Sequence, residues 1–275
     1  MTETLFRGII QDMTNEELYS LVYDKYGTIT RARGCFFYTK KGERLTDLFQ
    51  ENGRAVLGWD GKNAFTFFKN MMNKGLTGSF ICEDKSRLDK AVSTLLASDR
   101  KCIFFAAKAD ALKAGFSISP QNTSVYRPWN SDSPEPQTID CIILTPPLPW
   151  CDNLFILAVK AELQLQIKLT GQIKLPFAQE TAITRAVYNL IAQLKARTET
   201  DWFIYDPVLT KYWTRKGPYL FPKISENRYD AFVKHCLECG IVINPSFNEP
   251  SIVPFGADKG VFTKLKNSPF EQGEL

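Results

Sequence analysis

"ITRARGCFFYTKKGERLTDLFQENGRAVLGW", residues 29–59, decides how the rest of the chain is read. Apolar and polar residues alternate on both sides of Lys40-Lys41-Gly42, as they do when a hairpin turns at a glycine. Strands are therefore expected near 35–39 and 43–48. Before this stretch, "NEELYSLVYDKYG" (15–27) puts Leu18, Leu21, Val22 and Tyr26 on one helical face and stops at Gly27, as an amphipathic helix with a glycine terminator would. After it, "KNAFTFFKNMMNKG" (62–75) predicts a second helix ended by Gly75.

Further along, helical and strand-like segments alternate: a helix over 84–98, a buried strand over 101–107, a short helix over 109–115 and a strand over 138–145. That order predicts an α/β layer with parallel strands. The polar loop "SPQNTSVYRPWNSDSPEPQ" (119–137) and the proline cluster "TPPLPW" (145–150) interrupt it. A strand in "NLFILAVKA", a weaker one in "LQLQIKL" and a long helix over 178–198 follow. Near the end, a helix over 227–240 stops at Gly240, and two short β runs separated by a proline turn lead to a closing helix or tail from Asp258. This pattern predicts a small α+β layer whose partner strands come from the N-terminal hairpin, so both chain ends build one small domain.

The chain has 275 residues, 44% of them hydrophobic and 13% aromatic, ample for a buried core. Its 34 Lys+Arg and 30 Asp+Glu leave a formal charge of +4, too small and too evenly spread to imply a nucleic-acid or anionic-membrane partner. No basic start precedes a long apolar region, and "NLFILAV" is far short of a membrane span, so a cytoplasmic location is expected. Seven cysteines in a chain without an export signal read as reduced, mostly buried thiols.

The stretch 29–59 resembles the N-terminal segment of class III aminotransferases, pyridoxal-phosphate enzymes of fold type I. Arg33-Gly34, Phe36 to Tyr38, the turn ending in Gly42, Leu45 to Asp47 and Leu57-Gly58 carry the likeness, with Trp59 where that family has histidine. "CLECGIVINPSFNEPSIVPFG" (236–256) is similar to the family's C-terminal segment, and "LPFAQETAITRAVYNLIAQL" (175–194) to the helix after its catalytic lysine. The resemblance implies a cut-down central sheet with helices plus a small α+β domain built from both ends. The segments expected are 1–83 (small domain and interface helices), 84–199 (shortened central domain) and 200–275 (the rest of the small domain).

The resemblance also implies a Schiff-base lysine, an aspartate for the pyridine nitrogen, an aromatic residue on the ring and a phosphate cradle of Ser-Gly-Ser-Glu-Ala type at a helix N-terminus. Ala107-Lys108-Ala109-Asp110-Ala111 stands at the cradle's place, without hydroxyl donors or glycine. Lys108 is the one candidate cofactor-binding residue there; its bland reading is a solvated lysine at a helix start. No Asp-Glu-Val-like strand end occurs, Asp140 begins rather than ends its strand, and Lys160, Lys168 and Lys174 have no glycine- or serine-containing turn beside them. The chain thus reads as a shortened, degenerate relative: no catalytic residue, no cofactor, a role in binding or as a structural homodimer, and room for another protein partner. The alternative is a pyridoxal-phosphate enzyme with a relocated lysine. A third reading is a new small-molecule pocket near "RPWNSDSPEPQ" or "TPPLPW".

His235, Cys236 and Cys239 in "HCLEC" contain the only histidine and a Cys-x-x-Cys. A closed zinc site needs more ligands, and a redox pair belongs at a helix start rather than an end. Packed helix cysteines, with no metal, are expected. "KYWTRKGPYLFPK" (211–223) interleaves cations with aromatics as single-strand nucleic-acid platforms do; paired aromatic strands around Gly217-Pro218 explain it without a ligand.

Overall fold

Thr14 starts the first helix with a reciprocal cap: Glu17 N–H donates to its hydroxyl at 3.2 Å, and its own N–H donates to the Glu17 carboxylate at 2.7 Å. Helix α1 (Asn15–Tyr26) buries Leu18, Val22 and Tyr26 and ends at Gly27, whose φ of 72° an L side chain resists. The computed structural model describes residues 13–78, 80, 82, 87–130, 132–151, 153–163 and 169–271. The expected hairpin is present as β2 (Phe36–Thr39) and β3 (Arg44–Asp47), and β1 (Ile29–Arg33) adds a third antiparallel strand.

The chain forms two compact units, one built from both ends, up to Asn52 and from Trp202 onward, the other from Gly53–Asp201. The second unit holds α2 (Lys62–Asn73), α3 (Arg87–Leu96), β4 (Arg100–Phe105), α4 (Lys108–Ile118), β5 (Thr123–Val125), β6 (Cys141–Leu144), β7 (Phe155–Lys160), β8 (Gln172–Ile173) and α5 (Phe177–Ala196). Residues 84–86 of the expected 84–98 helix, and most of the expected "LQLQIKL" strand, lie outside the described residues.

The strands of this unit form one sheet in the order β5-β6-β7-β4-β8. The parallel arrangement expected from alternation is corrected here: only β5 and β6 run parallel, while β6–β7, β7–β4 and β4–β8 are antiparallel. The reason is the connection through "TPPLPW". It carries no crossover helix, and a strand reached by a short turn must come back antiparallel. The polar segment 119–137 also supplies a strand, β5, where a loop was expected.

Successive strand residues feed opposite layers. Ile142, Leu144, Ile156 and Ala158 pack with α2, α3 and α5, whereas Cys141, Ile143, Leu157 and Val159 pack with α4. Gly115 lets α4 approach closely, since a Cβ there would sit 2.8 Å from Thr123 Cγ2.

The C-terminal half of the first unit continues with α6 (Thr200–Phe203), α7 (Asp206–Leu209), β9 (Trp213–Lys216), β10 (Tyr219–Pro222), α8 (Glu226–Glu238), β11 (Ile241–Val242), β12 (Ser251–Ile252) and α9 (Thr263–Asn267). β11 pairs in parallel with β3, with Ile241 opposite Thr46 and Val242 opposite Asp47, so the two chain ends share one sheet as expected. β9 and β10 are the aromatic strand pair around Gly217-Pro218. Tyr212, Trp213 and Tyr219 are buried and Arg215 is ion-paired with Asp206 at 2.6 Å, so these rings offer no stacking surface.

Where β3 ends, Gln50, Glu51 and Asn52 all adopt left-handed φ values, 46°, 48° and 54°. The fully buried Asp47 carboxylate holds this turn by accepting the N–H groups of Phe49 at 3.0 Å and Gln50 at 2.9 Å. The Phe49 N–H is shared with Val242 O at 3.1 Å, so Asp47→Ala removes the printed acceptor of the Gln50 N–H alone and is expected to lower unfolding free energy by about 1–3 kcal/mol in urea titrations, the cost of one buried unsatisfied donor. A loss under about 0.5 kcal/mol, the ordinary range for surface substitutions, would refute that role.

Candidate functional site

A cavity of ≈ 330 Å³ opens beside the edge strand β5, inside the segment "RPWNSDSPEPQ". Ile142 and Ile139 form part of its apolar wall, Tyr126 and Trp129 supply rings, and Ser124 and Arg127 supply polar groups. Tyr126 continues the β5 ladder by donating its N–H to Ile143 O at 2.9 Å.

Two buried arginines fix the segment. Arg100, at the start of β4, donates to Pro136 O at 2.7 Å and Asp140 O at 2.9 Å, and its Nε donates to Ser98 Oγ at 2.7 Å. Burial pushes its pKa down, against the pull of Cys141 and Asp140. Arg197, capping the C-terminus of α5, donates to Val56 O at 2.9 Å and to Gln193 Oε1 at 3.0 Å, and its guanidinium lies 5.2 Å from the Trp129 ring centroid. Trp129 sits at φ 63°, a left-handed conformation that costs energy in a bulky residue and persists only where its surroundings impose it.

Asp140 accepts from Ser119 Oγ at 2.9 Å and lies 3.3 Å from Lys160 Nζ. Burial alone would raise its pKa, but the bonds from Ser119 and Lys160 prevail and hold the carboxyl below the usual range. Lys160 is also 3.8 Å from Glu162.

The positions that could meet a cofactor are plain in their chemistry. Helix α4 starts at Lys108, half-buried, behind the extended Ala107, which offers no side chain to cap or to cradle. Asp110 in its first turn adds negative charge where an anion would sit, with Lys113 3.9 Å away. Strand β7 carries no carboxylate: Ile156, Leu157, Ala158 and Val159 are all fully buried. Lys174 is exposed and Lys168 lies outside the described residues. In "HCLEC", His235 Nε2 lies 2.9 Å from Ser268 O, and burial pushes both the Cys236 and Cys239 thiols up. All seven cysteines are free thiols, five of them buried. No described helix is long and apolar enough to cross a membrane.

No protein-family model matches the chain. An uncharacterised protein of Treponema pallidum (strain Nichols) is 26% identical over 282 residues, covering 84% of this chain and 90% of that protein. A second, from Borreliella burgdorferi, is 24% identical over 266 residues, covering 92% and 94%. Among solved structures, ornithine aminotransferase of Plasmodium yoelii superposes with a TM-score of 0.62 at 13% identity, covering 92% of this chain and 100% of that one. Acetylornithine aminotransferase of Elizabethkingia anophelis gives 0.61 at 11%, covering 92% and 98%. An omega-transaminase of Sphaerobacter thermophilus gives 0.62 at 10%, covering 88% and 91%. The chain has the aminotransferase fold.

That fold implies pyridoxal phosphate, and the described residues do not fit it. β7 offers no carboxylate for a ring nitrogen, the start of α4 offers no hydroxyl for a phosphate, and Lys160 is engaged by two carboxylates. A nucleophilic lysine needs a desolvated or cation-adjacent setting instead.

The cavity wall has its own pH signature. Burial pushes the Tyr126 phenol from its ordinary 10.0 up to about 12, so the hydroxyl stays protonated. Since the folded state disfavours the phenolate, this contribution to stability is complete below pH 10 and is lost as pH rises toward 12. Tyr126→Phe is expected to flatten the alkaline limb of unfolding free energy against pH by up to about 2.7 kcal/mol. An unchanged limb would place the phenol in water.

Proposed function

We propose that this protein is a non-catalytic member of the aminotransferase fold that works by binding or as a structural homodimer. The observation that carries the reading is β7: its four central side chains are apolar and fully buried, with no carboxylate on the strand. The start of α4, where Ala107 offers no side chain to cap or cradle, supports it. The test is the absorption spectrum of the protein with added pyridoxal phosphate, then borohydride reduction and peptide mass mapping. No absorption beyond free cofactor and no modified lysine are expected. A stoichiometric adduct on one lysine, Lys108 included, would overturn the reading in favour of a relocated catalytic lysine.

The homodimer has support on α2. Phe65, Phe67 and Met72 are 50%, 40% and 46% exposed, and Trp150, 39% exposed, lies 5.5 Å from Phe65 and 5.7 Å from Phe68 by ring centroids. Contiguous exposed aromatics mark interaction surfaces more often than solvated ones. The wild-type chain is expected to sediment as a dimer at micromolar concentration and Phe65→Asp as a monomer. A monomeric wild type ends the dimer proposal.

A further inference from the structure

We propose that the open face of the β1–β2–β3 sheet binds single-stranded nucleic acid, engaging two or three nucleotides at a time. The inference goes beyond the non-catalytic reading and stands without it. These strands belong to the unit built from both chain ends, whereas β7 and α4 belong to the other.

The strand register decides which side chains share the face. Directly opposed residues of neighbouring strands point the same way, and the pairs are Arg33 with Phe36, Arg31 with Tyr38 and Tyr38 with Arg44. Arg31, Arg33 and Arg44 are exposed, with Phe36 and Tyr38 half-buried among them. The opposite face is the packed one, where Phe37, Thr39 and Leu45 are buried. The acids of these strands lie away from the open face. Asp47 is fully buried in its turn, and Glu43, two residues before Leu45, falls on the packed side, where its charge acts on the Tyr26 phenol. Folding thus gathers charge that is evenly spread along the sequence. Among the described residues, none of the three arginines is ion-paired.

Spacing and ring geometry select the partner. Arg31 and Arg33 are two positions apart on β1, as Phe36 and Tyr38 are on β2, about 6.7 Å in each case. That interval is close to the one between neighbouring phosphates of an extended single strand. The Arg44 guanidinium lies 4.7 Å from the Phe36 ring centroid, and the Arg31 guanidinium 5.6 Å from that of Tyr38. A ring beside a guanidinium is a flat cationic platform, and single strands stack their bases on rings and guanidinium planes while the phosphates meet the cations. An acidic peptide would use the arginines and leave the rings idle, and a duplex keeps its bases inside.

The experiment follows the fluorescence anisotropy of a labelled oligo-dT titrated with the full chain. Saturable binding is expected, weakening about tenfold from about 50 to about 150 mM salt, as three neutralised phosphates on a single strand require. Arg31→Gln/Arg33→Gln/Arg44→Gln is expected to abolish it. Lys259→Gln/Lys264→Gln/Lys266→Gln removes as much charge from other exposed positions and is expected to leave it in place. Phe36→Leu/Tyr38→Leu is expected to weaken binding at least about fivefold with the salt dependence unchanged. In the wild type, a 4-thiothymidine probe is expected to photo-crosslink within residues 34–40, a readout that needs no variant to fold. Absence of saturable binding overturns the proposal, as does an equal loss in the lysine variant or a crosslink confined to other segments. Decaglutamate binding as tightly as oligo-dT, with the ring variant unaffected, overturns it in favour of an acidic peptide.

Discussion

Strand β7 is pressed between two helical layers, and that constraint governs both the fold and its chemistry. Ile156 and Ala158 face α3 and α5, Leu157 and Val159 face α4, and all four are fully buried. Each large aliphatic among them contributes about 1.5–3 kcal/mol by leaving water. A carboxylate in this run would face a closed apolar layer and would have to be neutralised or paired. In this chain the positions at the middle of the sheet therefore serve packing, and an ionic partner for a bound ring would have to come from elsewhere. The carboxylate adjoining this layer, Asp140, is committed to Ser119 and Lys160.

Two arginines do for the second unit what a longer connection or an added strand would otherwise do. Arg100 and Arg197 are 2% and 6% exposed, and they donate to the backbone carbonyls of Pro136 and Asp140 and of Val56, respectively. Burying a guanidinium is costly, and the cost is offset only where several good hydrogen bonds are made at once. Trp129 and Pro136 of the irregular segment are thus tied to the end of α5 and the start of β4.

Much of this was legible in the sequence because the signals were local. Gly27, the Lys40-Lys41-Gly42 turn and the run from Phe177 to Ala196 each state their geometry within a few residues, and the structure follows them. The union of the two chain ends was legible in outline, because the short C-terminal β runs need partner strands and the N-terminal hairpin offers them, but nothing within Ile241-Val242 names β3 as the neighbour. Strand direction in the central sheet was not legible: an apolar run such as "FILAV" reads the same either way, and direction follows from what the preceding connection permits. The segment "RPWNSDSPEPQ" was singled out as a pocket candidate, but Arg197 and Arg100 were missed as its supports. They lie far off in sequence, and the signal that existed, a basic residue at the end of an amphipathic helix or at the start of a strand, usually marks a solvated charge.

The cavity and the short edge strand have one origin. β5 is only three residues long and has no outer neighbour in its sheet among the described residues. An open edge invites pairing with other chains, and proteins blunt it with short strands, proline and covering loops. The segment after β5 does all three. Tyr126 makes one more ladder bond to Ile143, the chain then leaves the sheet, and Pro134 and Pro136 line the cavity beside β5. A loop stretched across a strand edge by two arginines cannot close down onto the sheet as a packed helix would, because its carbonyls are fixed at Arg100 while its ring is fixed at Arg197. The space left between loop and sheet is lined by whatever side chains the loop carries inward. In this chain those are rings, a guanidinium and small polar groups, so the device that protects a sheet edge leaves a mixed apolar and polar cavity beside it.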